Sequence, residues 1–130
     1  MVMGLQGNSL IARNRISPNT ERIGISCHSM SNFRFYKYEI GQIFRPHFDD
    51  RFTRNSTESS KLTFMIYLSD GLTGGETIFY FDSTKIRARI LPKKGMALVF
   101  DHLQLHEGAP VKSSVKYVLR SDVMYTGSDD

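Results

Sequence analysis

At 130 residues, 40% of them hydrophobic and 12% aromatic, the chain can build one core but not two, and its composition speaks against a disordered segment. A net charge of +4 is mild, and lysines and arginines alternate with acids along the whole length, so a dedicated nucleic-acid patch is not expected. The one cysteine, Cys27, excludes an intrachain disulfide and fits a reducing compartment, while the lack of a long apolar run or a charged-then-apolar leader leads to the expectation of a soluble, cytoplasmic protein without a membrane partner.

Residues 1–31 show no clear period and are expected to be irregular, with Ser17-Pro18-Asn19-Thr20-Glu21 able to open a brief helix; residues 32–130 then form the main β domain. Phe33, Phe35 and Lys37 alternate with Arg34, Tyr36 and Tyr38 up to Gly41, the period-two signature of a strand with one face toward a core. A second strand is predicted from Ile43. Residues 50–60, DRFTRNSTESS, read as a polar surface loop or lid with no core residue beyond Phe52. The triplet Asn55-Ser56-Thr57 matches a glycosylation acceptor, read as chance without a secretion leader.

Leu62, Phe64, Ile66 and Leu68 share one face of a further strand, and Thr63, Met65 and Tyr67 the other. Gly74-Gly75 is a tight turn into the strand Glu76–Asp82, and Lys85–Leu91 alternates base and aliphatic as an edge strand protected from sheet-to-sheet aggregation would. Met96–Phe100 and the long closing run Val115–Tyr125 complete seven or eight short strands with almost no helix, an all-β sandwich or jelly-roll.

Chemistry concentrates at Arg45-Pro46-His47-Phe48-Asp49. On an extended strand side chains at i and i+2 share a face, so His47 and Asp49 aim an imidazole nitrogen and a carboxylate oxygen at one point. His106, after the Met96–Phe100 strand, is the candidate third corner of a 2-His-1-carboxylate site suited to non-haem Fe(II). By itself an H-x-D pair is more often a surface hydrogen bond. A second feature adds weight: Lys116 and Arg120 share a face of the closing strand with Val118, and a cation turned inward calls for an anion, such as a dicarboxylate that meets the metal with its other end.

The stretches FRFYKYEIGQIFRPHFD (33–49), LTFMIYLSD (62–70), GGETIFYF (74–81), PKKGMALVFDHLQLHEGAPV (92–111) and KYVLRSDVMY (116–125) together resemble the 2-oxoglutarate- and Fe(II)-dependent dioxygenases of the prolyl 4-hydroxylase-like group. The resemblance implies a cupin-like double-stranded β-helix, residues 32–130 as the catalytic domain, and His47, Asp49 and His106 as iron ligands. It implies Lys116 as the partner of the distal carboxylate of 2-oxoglutarate, with Arg120 the rival for that role, and Tyr67 and Tyr38 lining the cosubstrate pocket. It further implies O2 as cosubstrate, ascorbate as a candidate reductant, succinate and CO2 as products, and a peptide or a small molecule hydroxylated at an unactivated C–H bond. His102 is expected to be a core or surface histidine with no ligand role, and His28 receives none. Two other readings stay open on the sequence: an inactive relative acting as a binding module, and a nucleic-acid-repair dioxygenase of the same fold.

Overall fold

A computed structural model of the chain describes residues 2–6, 9–11 and 26–127. In chain order its strands are β1 (Val2–Gln6), β2 (Ser9–Ile11), β3 (Ser26–Met30), β4 (Arg34–Tyr38), β5 (Phe44–His47), β6 (Thr53–Asn55) and β7 (Glu58–Tyr67). They continue as β8 (Thr73–Gly74), β9 (Thr77–Tyr80), β10 (Ile86–Ile90), β11 (Ala97–Asp101), β12 (His106–Gly108), β13 (Val111–Ser113) and β14 (Lys116–Thr126). No helix occurs among the described residues.

The large sheet runs β2-β1-β11-β7-β14-β3, with β4 also paired to β14 and β6 to β7. Facing it is a four-stranded sheet, β10-β9-β12-β5, and a small pair, β13-β8, closes one end. Met65, Tyr67, Leu98, Phe100 and Val118 from the large sheet meet Phe79 of the smaller one in a single buried cluster. Phe79 and Phe100 touch edge to face at 5.0 Å between ring centroids, so the core lies between the sheets in a double-stranded β-helix.

Alternation decides which face of each strand enters that core. On β7 Thr63, Met65 and Tyr67 are buried, whereas Leu62, Phe64 and Ile66 are half-buried on the outer face against Ala97 and Val99. The more polar face is therefore the interior one, because it lines the site. On β4 the tyrosines Tyr36 and Tyr38 turn inward and Phe33 and Phe35 stay exposed. β10 is the outer strand of its sheet, as its charged alternation indicated.

Two expectations need correction. Residues 2–6, 9–11 and 26–30 are strands, not irregular chain: β1 adds to the edge of β11 and β3 pairs with the far half of β14. Backbone hydrogen bonds to a preformed neighbour hold them, so they need no alternation of their own. The brief helix expected from Ser17 lies outside the described residues. Likewise 50–60 is not an open loop but a hairpin, with Thr53 opposite Ser59 and Asn55 opposite Glu58. Its turn is closed by the Asn55 carboxamide oxygen, which accepts from the Thr57 amide at 2.9 Å and its hydroxyl at 3.0 Å. Phe52 is exposed and Ser60 is fully buried, the reverse of what hydrophobicity alone suggests.

Gly74 and Gly75 both adopt positive φ, 73° and 71°. A Cβ on Gly74 would run into the Pro110 carbonyl, and one on Gly75 would sit 2.8 Å from Leu72 and 3.4 Å from the Lys116 stem. The turn thus lets the end of β14 lie close against the chain that precedes β9.

Candidate metal centre

His106 on β12 is the direct cross-strand partner of His47 on β5, and their rings lie 4.3 Å apart between centroids. His47 closes its strand, and Asp49 stands two residues past the strand end, not on it as a continuous H-x-D strand would have it. The three side chains still converge, with one candidate donor atom from each within 4.8 Å of the others. From Asp49, Oδ1 is 3.4 Å from His47 Nε2 and Oδ2 is 3.7 Å from His106 Nε2.

Both imidazoles are set by the carbonyl two residues before them. His47 Nδ1–H donates to the Arg45 carbonyl at 2.6 Å and His106 Nδ1–H to the Gln104 carbonyl at 2.8 Å. Since a carbonyl only accepts, each ring keeps its Nε2 lone pair for the common point. Burial lowers the His106 pKa, against the opposing pull of its bond to Gln104, and so favours the neutral form a metal needs. Phe44 and Phe100 flank the two rings at 4.0 and 4.7 Å between centroids.

The Asp49 carboxylate is almost wholly buried. Burial by itself raises its pKa, but His47, the Thr63 hydroxyl and the charges of Arg120 and His106 outweigh that and hold it well below the usual carboxylate range. Thr63 donates to Oδ2, Arg120 Nη2 lies 2.8 Å from Oδ1, and the Asp49 amide donates to the His102 carbonyl at 3.0 Å. Two neutral nitrogen donors and one anionic oxygen donor make a site that fits a divalent first-row ion with positions left open.

Lys116, at the start of β14, faces the same interior. It is buried, its ammonium lies 5.2 Å from the Tyr38 ring centre and 5.7 Å from that of Tyr67, and it has no salt-bridge partner among the described residues. Burial pulls its pKa down to about 8, with Glu76 pulling the other way. Tyr67 is buried beside it with its hydroxyl hydrogen-bonded to Thr77, and burial raises the pKa of both Tyr67 and Tyr38. One pocket is lined by His47, His106, Tyr38, Lys116, Val118 and Arg120. The structure therefore separates the two cations that the sequence left as rivals: Arg120 sits on Asp49, and Lys116 sits among the tyrosines.

A larger cavity of about 680 Å³ adjoins, bordered by Pro46 and Phe48 on either side of His47 and by Leu103 to Leu105 just before His106, with Phe81 and Arg87 opposite. Sequence reading did not find the partners of Asp49. Thr63 carried a usable signal, since it shares the inward face of β7 with Tyr67; Ser60 and His102 carried none.

The model of the 2OG-Fe(II) oxygenase superfamily matches residues 33–121, more than half of the chain. The chain is 31% identical over 110 residues to the probable prolyl 4-hydroxylase 9 of Arabidopsis thaliana, covering 67% of this chain and 38% of that one. It is 28% identical over 111 residues to the prolyl 4-hydroxylase subunit alpha-1 of Bos taurus, covering 73% and 20% respectively. Among solved structures it is similar to the viral collagen prolyl hydroxylase from Paramecium bursaria Chlorella virus-1 in its 2OG complex, with 27% identity, a TM-score of 0.57, and coverage of 75% of this chain and 60% of that one. The chain thus spans well under half the length of these two curated relatives.

Proposed function

The chain belongs to the 2OG-Fe(II) oxygenase superfamily, and from that premise we propose that it is a 2-oxoglutarate- and Fe(II)-dependent hydroxylase acting on a peptidyl residue, proline first among the candidates. His47, Asp49 and His106 hold the iron, each histidine through Nε2. Iron held there would supply, with 2-oxoglutarate and O2, the oxidising chemistry that releases succinate and CO2 and hydroxylates a C–H bond. Ascorbate serves as reductant.

The chain's own residues bind, orient and exclude water. Lys116 takes the distal carboxylate of 2-oxoglutarate, with Tyr38 lining the pocket and the buried Tyr67 ring 5.7 Å from its ammonium. Arg120 is unsuited to that task because its guanidinium is already held 2.8 Å from Asp49 Oδ1; it anchors the carboxylate ligand instead. Phe48 and Phe81 give the adjoining cavity apolar walls for a proline-bearing peptide.

One observation carries the reading: both histidines of a three-donor cluster line one pocket with a buried lysine that has no salt-bridge partner among the described residues, and a dicarboxylate on a metal satisfies both. The test is succinate formation from 2-oxoglutarate with Fe²⁺ and ascorbate across a panel of proline-containing and other peptides and small metabolites. Peptide-stimulated succinate release that Asp49→Ala abolishes is the expected result. Stimulation by metabolites alone would replace the peptide substrate, and no release under any condition would overturn the enzyme.

A further inference from the structure

We infer that His102 is a positioning residue for the metal centre, acting on Asp49 through a one-way chain of hydrogen bonds; this rests on the reading of His47, Asp49 and His106 as iron ligands. The direction of the chain follows by elimination. An ionised carboxylate only accepts, so the single proton of the Thr63 hydroxyl points at Asp49 Oδ2. Thr63 Oγ1, 3.0 Å from His102 Nδ1, must then accept, which places the ring proton on Nδ1. In the neutral ring Nε2 is left with its lone pair and accepts from the Ser60 hydroxyl at 2.7 Å. Ser60 Oγ in turn accepts from the Phe52 amide at 2.8 Å. With a carboxylate at one end and a backbone N–H at the other, the chain cannot run backwards.

The backbone of His102 doubles the connection. Its carbonyl accepts from the Asp49 amide at 3.0 Å and its amide donates to the Lys61 carbonyl at 3.1 Å. His102 belongs to the turn between β11 and β12, four residues before His106. It therefore ties the segment that delivers one ligand to the side chain of another. Thr63 holds Oδ2 while Arg120 holds Oδ1, so the carboxylate plane is fixed from both sides before any ion arrives. Both ring nitrogens of His102 are engaged in this, which is why a buried histidine so near the centre is not itself a ligand.

The test uses the full chain and Fe²⁺ alone, titrated anaerobically by calorimetry, with His102→Asn, His102→Gln and Thr63→Val compared. The asparagine amide nitrogen falls where Nδ1 sits and can still donate to Thr63, whereas the glutamine amide falls near Nε2 and cannot. Expected is Fe²⁺ affinity within about threefold of the unmodified chain for His102→Asn and a loss of roughly 10–100-fold for His102→Gln and Thr63→Val. Equal losses in the two His102 variants, or glutamine outperforming asparagine, would mean that volume and not donation matters and would overturn the inference. Nitrogen-15 NMR of the unmodified apo chain checks it independently of any variant: an Nε2–H tautomer at His102 overturns it. If the unmodified chain takes up no Fe²⁺, both this inference and the metal reading fall. If Asp49→Ala loses Fe²⁺ while Thr63→Val and His102→Gln do not, this inference alone falls.

Discussion

Two buried charges of the interior solve opposite problems. At Asp49 a buried anion has a hydroxyl on one oxygen, a guanidinium on the other and an amide tied to its neighbour, so the charge is accommodated by the protein itself. At Lys116 a buried cation has two aromatic faces, the pull of Glu76 and no salt-bridge partner among the described residues. The first is organised in advance of ligand; the second carries strain that an incoming anion relieves. A depression from 10.5 to about 8 corresponds to about 3 kcal/mol against the charged form.

The sharpest way to break this contrast is at the organised charge. Asp49→Ala should abolish Fe²⁺ uptake and turnover and also lower apo stability by about 3 kcal/mol, because Arg120 loses its partner; chemical denaturation and calorimetry measure the two effects. Lys116→Met should do the opposite to the apo protein, raising its stability by about 1–3 kcal/mol, while weakening 2-oxoglutarate binding about 100-fold and leaving Fe²⁺ binding nearly intact. If both variants destabilise equally, the two charges do not differ as described.

Proton concentration sharpens the same comparison. The folded-state pKa of Lys116 lies near 8, below its unfolded 10.5, so between those values the unfolded chain binds more protons and stability from this group grows as pH rises. If Lys116 holds the distal carboxylate as proposed, affinity for 2-oxoglutarate should fall about tenfold per pH unit above about 8, and binding titrations beside denaturation curves would show the two trends diverging. Asp49 has a folded pKa depressed below its ordinary value, so its stabilisation is complete at neutral pH and drains away in acid as pH falls through and below the ordinary carboxylate range. The smallest expected effect is Tyr67→Phe, which strips Thr77 of its partner and should cost about 1 kcal/mol of stability and raise the 2-oxoglutarate requirement a few-fold.

Legibility in the sequence followed the reach of the interactions. β7 and β10 were visible because each alternates between two faces over five or more residues, and β11 and β14 as an apolar run and a long closing run; the period of two along β14 turned Lys116 and Arg120 to one face together. That period could not tell the two cations apart, since which one meets Asp49 depends on how far each side chain reaches across the pocket and not on its face. β1 and β3 left no pattern, being held by pairing with strands far off in the chain, and β2 adds only to β1. The meeting of His47, Asp49 and His106 was legible from residue chemistry. Their fastening was not, because Ser60, Thr63 and His102 are joined by contacts spanning up to 42 residues.

The pairing of His106 opposite His47 makes alignment of the four-stranded sheet and capture of an ion a single event. Were β12, only three residues long, to slide one place along β5, the imidazole would turn to the sheet's other side and the donors would disperse. On the proposal that these three residues hold iron, a mispaired chain would be blind to it, and uptake of the ion would double as proofreading of strand alignment.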